Sequence, residues 1–187
     1  MSKICTIHGL NSSYYSFAYL ARELEIDSKI NYLSFQPLAD SLLQVSKQLP
    51  KDEPITLIGH SLGGLIALLL AQNGTHQIER VITISSPVGG SKAAVYARWV
   101  ASGMPILNDI TPNSLHVRAL SRGVSCPVLS VISTGGNLPT SNEPNDSVVT
   151  IASQRSLPYG KKVEIKANHF EILLREETIK HIQKFNG

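Results

Sequence analysis

Two cysteines and one tryptophan are all that this 187-residue chain holds of either residue. Two thiols as far apart as Cys5 and Cys126 cannot build the disulfide framework of a small secreted scaffold, and their apolar neighbours read as surroundings for buried free thiols. Charge is sparse as well: 17% of residues are charged against 42% hydrophobic, a balance that excludes a disordered chain. The net charge of +3 arises from scattered lysines and arginines with no basic cluster, so no nucleic-acid partner is expected. Long apolar runs are missing too. None approaches the ~18 residues that span a bilayer, so no stable membrane insertion is expected. The opening stretch Met1–His8 is too short an apolar segment for a signal peptide, and a soluble, cytoplasmic protein is the expectation. No two histidines stand at metal-ligand spacing, so neither metal nor cofactor is expected. The length suits one domain with a substantial core, and nothing in it speaks to oligomeric state.

What the chain does have is Gly59-His60-Ser61-Leu62-Gly63-Gly64. Before it, Pro54-Ile55-Thr56-Leu57-Ile58 is a short apolar, β-branched run that reads as a buried strand. After it, Leu65–Ala71 is apolar on every side and rich in helix formers, and reads as a buried helix. A bare G-x-S-x-G arises by chance on the order of 0.1 times in a chain of this length, and a glycine-rich turn between core elements would be the plain reading. A strand turning sharply into a helix makes it more than that. Ser61 stands exposed at the tip, Gly59 and Gly63 let the backbones pass closely, and the helix start offers free N–H groups and a positive dipole end.

Along the chain, strands are expected at Lys3–Ile7, Ile30–Phe35, Pro54–Ile58, Arg80–Ser85, Pro127–Ser133 and Lys162–Lys166. Helices are expected at Tyr14–Glu25, capped by Ser12 or Ser13, at Leu38–Leu49, after Ser61, at Lys92–Ser102, at Ser114–Leu120 and over much of Glu171–Phe185. Ser147–Ser153 opens with a short helix in the same reading. Alternating strands and helices, with strands that are continuous apolar runs, imply a parallel sheet covered on both faces. Chemistry then belongs beyond the carboxyl ends of the strands. Four loops begin there: His8–Asn11, Gly59–Gly63, the loop before Asp146, and Asn168–His169.

With His8-Gly9 after the first strand, Gly59-His60-Ser61-Leu62-Gly63, an acid after the penultimate strand and His169 after the last, the chain resembles the alpha/beta-hydrolase family, and most of all its small lipase- and esterase-type members. Ser85–Ser91 and Asn145–Val149 are similar to their post-strand and acid loops. The resemblance implies a three-layer α/β fold with a minimal, mostly parallel sheet of about six strands and no large cap domain. Residues 1–187 form a single domain in this reading, with 91–123 as a candidate lid-like insertion. Serine, acid and histidine follow in the order this fold uses. Ser61 is then the nucleophile and His169 the base. Asp146 is the acid, with Glu143 in the same loop as the alternative. The oxyanion hole uses the backbone N–H groups of Leu10 and Leu62. His8, Gly9, Tyr14, Val88 and Trp99, together with Tyr15 and Phe17, are candidate substrate-pocket walls.

The expected activity is hydrolysis of small-molecule carboxylic esters through an acyl-serine, with a preference for short acyl chains because about 30 residues between the fourth and fifth strands cover only a shallow pocket. The same three residues could serve a thioesterase, an acyltransferase or a lipase, and the fold could also carry a ligand-binding protein without activity.

Overall fold

The computed structural model describes residues 2–100, 103–138 and 141–187, with the side chains of 98–100 outside the description. In chain order the elements are β1 (Lys3–Ile7), α1 (Leu20–Glu23), β2 (Ile26–Ile30), α2 (Leu38–Gln48), β3 (Ile55–His60), α3 (Leu62–Asn73), β4 (Ile78–Ile84), α4 (Lys92–Val100), α5 (Ile106–Asp109), α6 (Leu115–Ala119), β5 (Val128–Ser133), α7 (Ile151–Arg155), β6 (Lys161–Ile165) and α8 (Glu176–Asn186). The strands form one sheet in the order β2-β1-β3-β4-β5-β6, and each neighbouring pair is parallel.

Alternate strand residues feed two cores. On one face Cys5, Ile7, Leu57, Val81 and Val128 pack under α2, α3 and α5; on the other, Ile58, Ile82, Leu129 and Val131 meet Phe17, Leu20, Ile172, Ile179 and Ile182. This is the three-layer arrangement. α3 is buried from Leu62 to Ala71, which accounts for its apolar residues on every side. Truncating one of its leucines to alanine would cost about 2–5 kcal/mol. Gly74 at φ +64° ends it.

The order of strands places the site. β1 and β3 are neighbours, with Ile7 beside Gly59, but the chain leaves β1 toward the sheet edge at β2 and leaves β3 toward β4. That reversal opens a crevice at the carboxyl ends of β1 and β3.

Three expected elements differ, and one of them is the short helix expected to open Ser147–Ser153: it begins only at Ile151, as α7, because Ser147 at φ +85° belongs to the turn after Asp146. The second strand is Ile26–Ile30, not Ile30–Phe35. It is an edge strand whose alternate residues Asp27 and Lys29 face solvent, so it lacks a continuous apolar run. Asp27 also accepts a hydrogen bond from the Ile4 N–H at 2.8 Å, where the register with β1 shifts. Ile30–Phe35 instead leads out of the sheet, burying Tyr32 and exposing Leu33. The helix expected over Tyr14–Glu25 is a 3-10 turn at Tyr14–Phe17 followed by the single turn of α1, and Ser13 makes no side-chain cap. Three aromatics in four residues are poor helix formers. Both cysteines are free; Cys5 is buried as expected, whereas Cys126 is only half-buried.

Candidate active site

β3 ends at His60, and the chain turns at Ser61 with φ +52° and ψ −120°. A non-glycine residue in this region is strained, and the surroundings hold it there. The Ser61 N–H donates to the Ile84 carbonyl at 2.8 Å, and the Ser61 carbonyl accepts from the Gly64 N–H at 3.0 Å. A Cβ at Gly59 would fall on the Gly63 carbonyl, and one at Gly63 on the Ile7 carbonyl, so both positions are closed to side chains. Leu62 opens α3, and its N–H belongs to the first turn, which lacks intrahelical acceptors.

The loops of His169 and Asp146, 23 residues apart in sequence, meet. His169 Nδ1 lies 2.8 Å from Asp146 Oδ2, and both side chains are buried. The His169 N–H also donates to the Asp146 carbonyl at 2.9 Å. Asp146 Oδ1 accepts from the N–H groups of Val148 at 3.0 Å and Val149 at 2.7 Å. Its Oδ2 further accepts from Ser133 Oγ at 2.5 Å and Gln154 Nε2 at 3.0 Å. Burial by itself would raise this carboxyl; the His169 imidazole and then the Ser133 and Val149 donors outweigh it, and the carboxyl is held below its ordinary range. An ionised Asp146 accepts a hydrogen bond from the Nδ1–H of His169, which fixes the tautomer and leaves Nε2 as the nitrogen with the free lone pair. Glu143, the alternative acid, instead pairs with Lys92 at the surface.

His60 secures the other side of His169. Its Nε2 lies 2.8 Å from the His169 carbonyl and donates to it, and burial, with the neighbouring His169 second, pushes its imidazole down to about 3. His60 is therefore neutral, and its Nδ1 has no hydrogen-bond partner among the described residues.

Ser61, His60, His169, Gly9, Leu10 and Leu62 line one cavity of about 270 Å3. Its remaining wall is mostly aliphatic, from Pro87, Ala94 and Ala97, from Leu107 and Ile110, and from Val148 and Val149, with Phe170 at its edge. No Asp, Glu, Lys or Arg lines it among the described residues. Ser61 and His169 share this wall without a direct hydrogen bond between them. Among the described residues no group of His, Cys, Asp and Glu could hold a metal ion, and no helix is long and apolar enough to cross a membrane.

The family model of the alpha/beta hydrolase fold matches residues 25–105. A lipase from Bacillus licheniformis in its mature form superposes with a TM-score of 0.72 at 17% identity, over 98% of this chain and 91% of that one. The chain has the alpha/beta-hydrolase fold. A lipase-esterase related protein from Clostridium acetobutylicum gives a TM-score of 0.69 at 14% identity, over 98% and 94% of the two chains. A hydrolase from Pseudomonas aeruginosa gives 0.76 at 13% identity, over 100% and 90%. Identities this low speak for the fold and not for a shared substrate. No curated protein sequence matches this chain.

Several residues expected at the pocket lie elsewhere. His8 is buried against Tyr32, with ring centroids 4.4 Å apart, and its Nδ1 lies 2.8 Å from the Gly9 carbonyl. Burial lowers its imidazole and keeps it neutral, so it braces the turn after β1. Tyr14, Tyr15 and Phe17 line a separate cleft under the 3-10 turn, and Val88 packs into the α3 core. Trp99 has its side chain outside the described residues. Unforeseen were Ser133 and Gln154 on the acid, and the aliphatic residues of α4 and α5 on the cavity. Ser133 ends a strand that also holds Ser130, so nothing in the sequence sets it apart, and Gln154 carries no signal because only the fold brings it to Asp146.

Proposed function

We infer that this alpha/beta-hydrolase is a serine esterase that cleaves carboxylic esters of small, uncharged acyl groups through an acyl-serine intermediate. The observation that carries this reading is the buried Asp146–His169 pair, opening onto the cavity where Ser61 stands on its strained turn. In this reading Ser61 Oγ attacks the ester carbonyl and passes its proton to His169 Nε2. The N–H groups of Leu62 and Leu10, both on the cavity wall, take the charge that develops on the carbonyl oxygen. The alcohol leaves with the proton from His169, and the acyl group stays on Ser61. Water, deprotonated by the same nitrogen, then attacks the acyl carbon and frees the acid and the serine. Asp146 stabilises the imidazolium at each passage.

The aliphatic, charge-free wall favours an apolar acyl group, and the small volume favours a short one. The segment 91–123, whose Ala94, Ala97, Leu107 and Ile110 line the cavity, serves as its lid. The lipase and lipase-esterase names of the structural neighbours agree with ester substrates.

The test is labelling with a fluorophosphonate probe, mapped by mass spectrometry. Stoichiometric label on Ser61 is expected, with none on Ser61→Ala and a loss of several orders of magnitude in rate for His169→Ala. Stoichiometric labelling of Ser61→Ala would overturn the assignment.

A further inference from the structure

Asp146 receives more hydrogen bonds than a histidine partner requires. Three donors converge on Oδ2 alone: His169 Nδ1 at 2.8 Å, Ser133 Oγ at 2.5 Å and Gln154 Nε2 at 3.0 Å. Two of them come from residues that touch neither the cavity nor Ser61.

The proton directions in this cluster can be worked out. An ionised carboxylate only accepts, so the single hydroxyl proton of Ser133 is committed to Asp146. Ser85 Oγ lies 2.7 Å from Ser133 Oγ, and must therefore be the donor in that pair. The order of donation is Ser85 to Ser133 to Asp146. Gln154 is fixed just as closely: its Oε1 accepts from the Ser133 N–H at 3.0 Å, while its Nε2 donates to the Ser133 carbonyl at 3.2 Å and to Asp146. Its amide can face only one way, with the donor toward the carboxylate. All four side chains are buried, at 0% exposure for Ser85, Ser133 and Asp146 and 2% for Gln154. Ser85 itself sits at φ +51°, a strained backbone for a serine, where β4 ends.

We propose that Ser133 and Gln154, with Ser85 behind them, are positioning residues for the acid: they lock the Asp146 carboxylate in one rotamer and aim Oδ2 at His169. The fold supplies them from three separate elements. Ser85 follows β4, Ser133 ends β5 and Gln154 lies on α7, so the acid loop is fastened to the sheet from behind while His169 approaches from the other side. An acid on a loop needs this support, because a small displacement of the carboxylate turns the imidazole away from the nucleophile. The proposal rests on the reading of Asp146 and His169 as acid and base.

The experiment compares wild type with Ser133→Ala and Gln154→Met, both close in size to the residues they replace. The substrate probe is p-nitrophenyl acetate, with kcat and KM separated. The second readout is the low-field proton resonance of the His169 Nδ1–H. The expected result is a fall in kcat of about tenfold to a hundredfold with KM within about twofold, because positioning acts in the transition state. The resonance is expected to move further downfield in Ser133→Ala, as Oδ2 loses a competing donor and binds the imidazole proton more strongly. A change confined to folding would leave the resonance of the folded fraction where it is in wild type. If Ser133→Ala does not fold, Gln154→Met and Ser85→Ala carry the same comparison. Wild-type kcat and an unmoved resonance in the folded variants would overturn the proposal. A wild type inert to esters and to fluorophosphonate would defeat the esterase reading instead, while the resonance would still test the positioning.

Discussion

The ring of His60 donates a hydrogen bond from Nε2 to the main-chain carbonyl of His169 across 2.8 Å. The residue immediately before the proposed nucleophile thus holds the backbone of the proposed base. The other side of that backbone is held by Asp146, whose carbonyl accepts the His169 N–H at 2.9 Å. Neither bond uses the His169 side chain, which is left to chemistry.

His60→Ala should therefore lower kcat on p-nitrophenyl acetate by about tenfold or more, since it frees the His169 loop. His60→Gln retains a side-chain N–H donor and should recover part of the loss. Equal losses in the two variants would remove the hydrogen bond as the cause.

Asp146→Asn should cost far more turnover than Glu143→Gln. The amide replaces a carboxylate that accepts from His169, Ser133, Gln154, Val148 and Val149, whereas the Glu143 side chain engages the exposed Lys92 alone among the described residues. Steady-state rates of both folded variants decide it, and a larger loss in Glu143→Gln would reassign the acid.

Ala94 is buried on α4 and lines the cavity. Ala94→Leu adds three carbons to a space of about 270 Å3 and should shift the acyl preference toward acetate. A p-nitrophenyl ester series from acetate to octanoate measures it: the ratio of butyrate to acetate kcat/KM should fall. Activity in wild type that rises steadily toward long, emulsified chains would contradict the short-acyl reading.

Acid should destabilise the folded protein in two stages. His60 is pushed down to about 3 from an ordinary 6.5, and His8 is lowered as well, both chiefly by burial. The unfolded chain binds protons at these imidazoles before the folded one does, so stability falls as pH drops below 6.5. The Asp146 carboxyl is depressed in the folded state; its contribution is complete above the ordinary carboxylate value and is lost as pH falls through the lower, folded one. Urea midpoints measured from pH 8 to 4 should decline from the histidine range onward. In His60→Gln the first part of that decline should be shallower, and an unchanged slope would count against a neutral, buried His60.

The strands beneath the site were readable from sequence because a parallel strand buried on both faces must be a continuous apolar run. β3 and β5 are buried on both faces and mostly apolar, interrupted by Thr56 and Ser130 alone before their ends, and Ser61 and the Asp146 loop follow those ends. β2 was not readable, because an edge strand shows solvent the residues Asp27 and Lys29, and the nearby apolar run Ile30–Phe35 is the stronger pattern. Asp146 and His169 could be located by the order of elements alone. The pocket walls could not, since an aromatic such as Tyr14 carries no mark of which side of the sheet its turn will face. The residues that do line the cavity, Ala94, Ala97 and Leu107, look like any helix interior until the chain is folded over it.

The absent side chain at Gly63 bears on how this protein loses activity. A Cβ there would collide with the Ile7 carbonyl, so the start of α3 lies directly against the end of β1, with no layer of side chains between them. The turn that presents Ser61 is consequently not an appendage that can fray while the rest of the molecule stays intact; to loosen it, the centre of the sheet must part. Amide hydrogens through α3 should exchange only in whole-molecule opening events, and heat should abolish labelling of Ser61 at the temperature where the sheet itself melts, without an earlier inactive but folded phase.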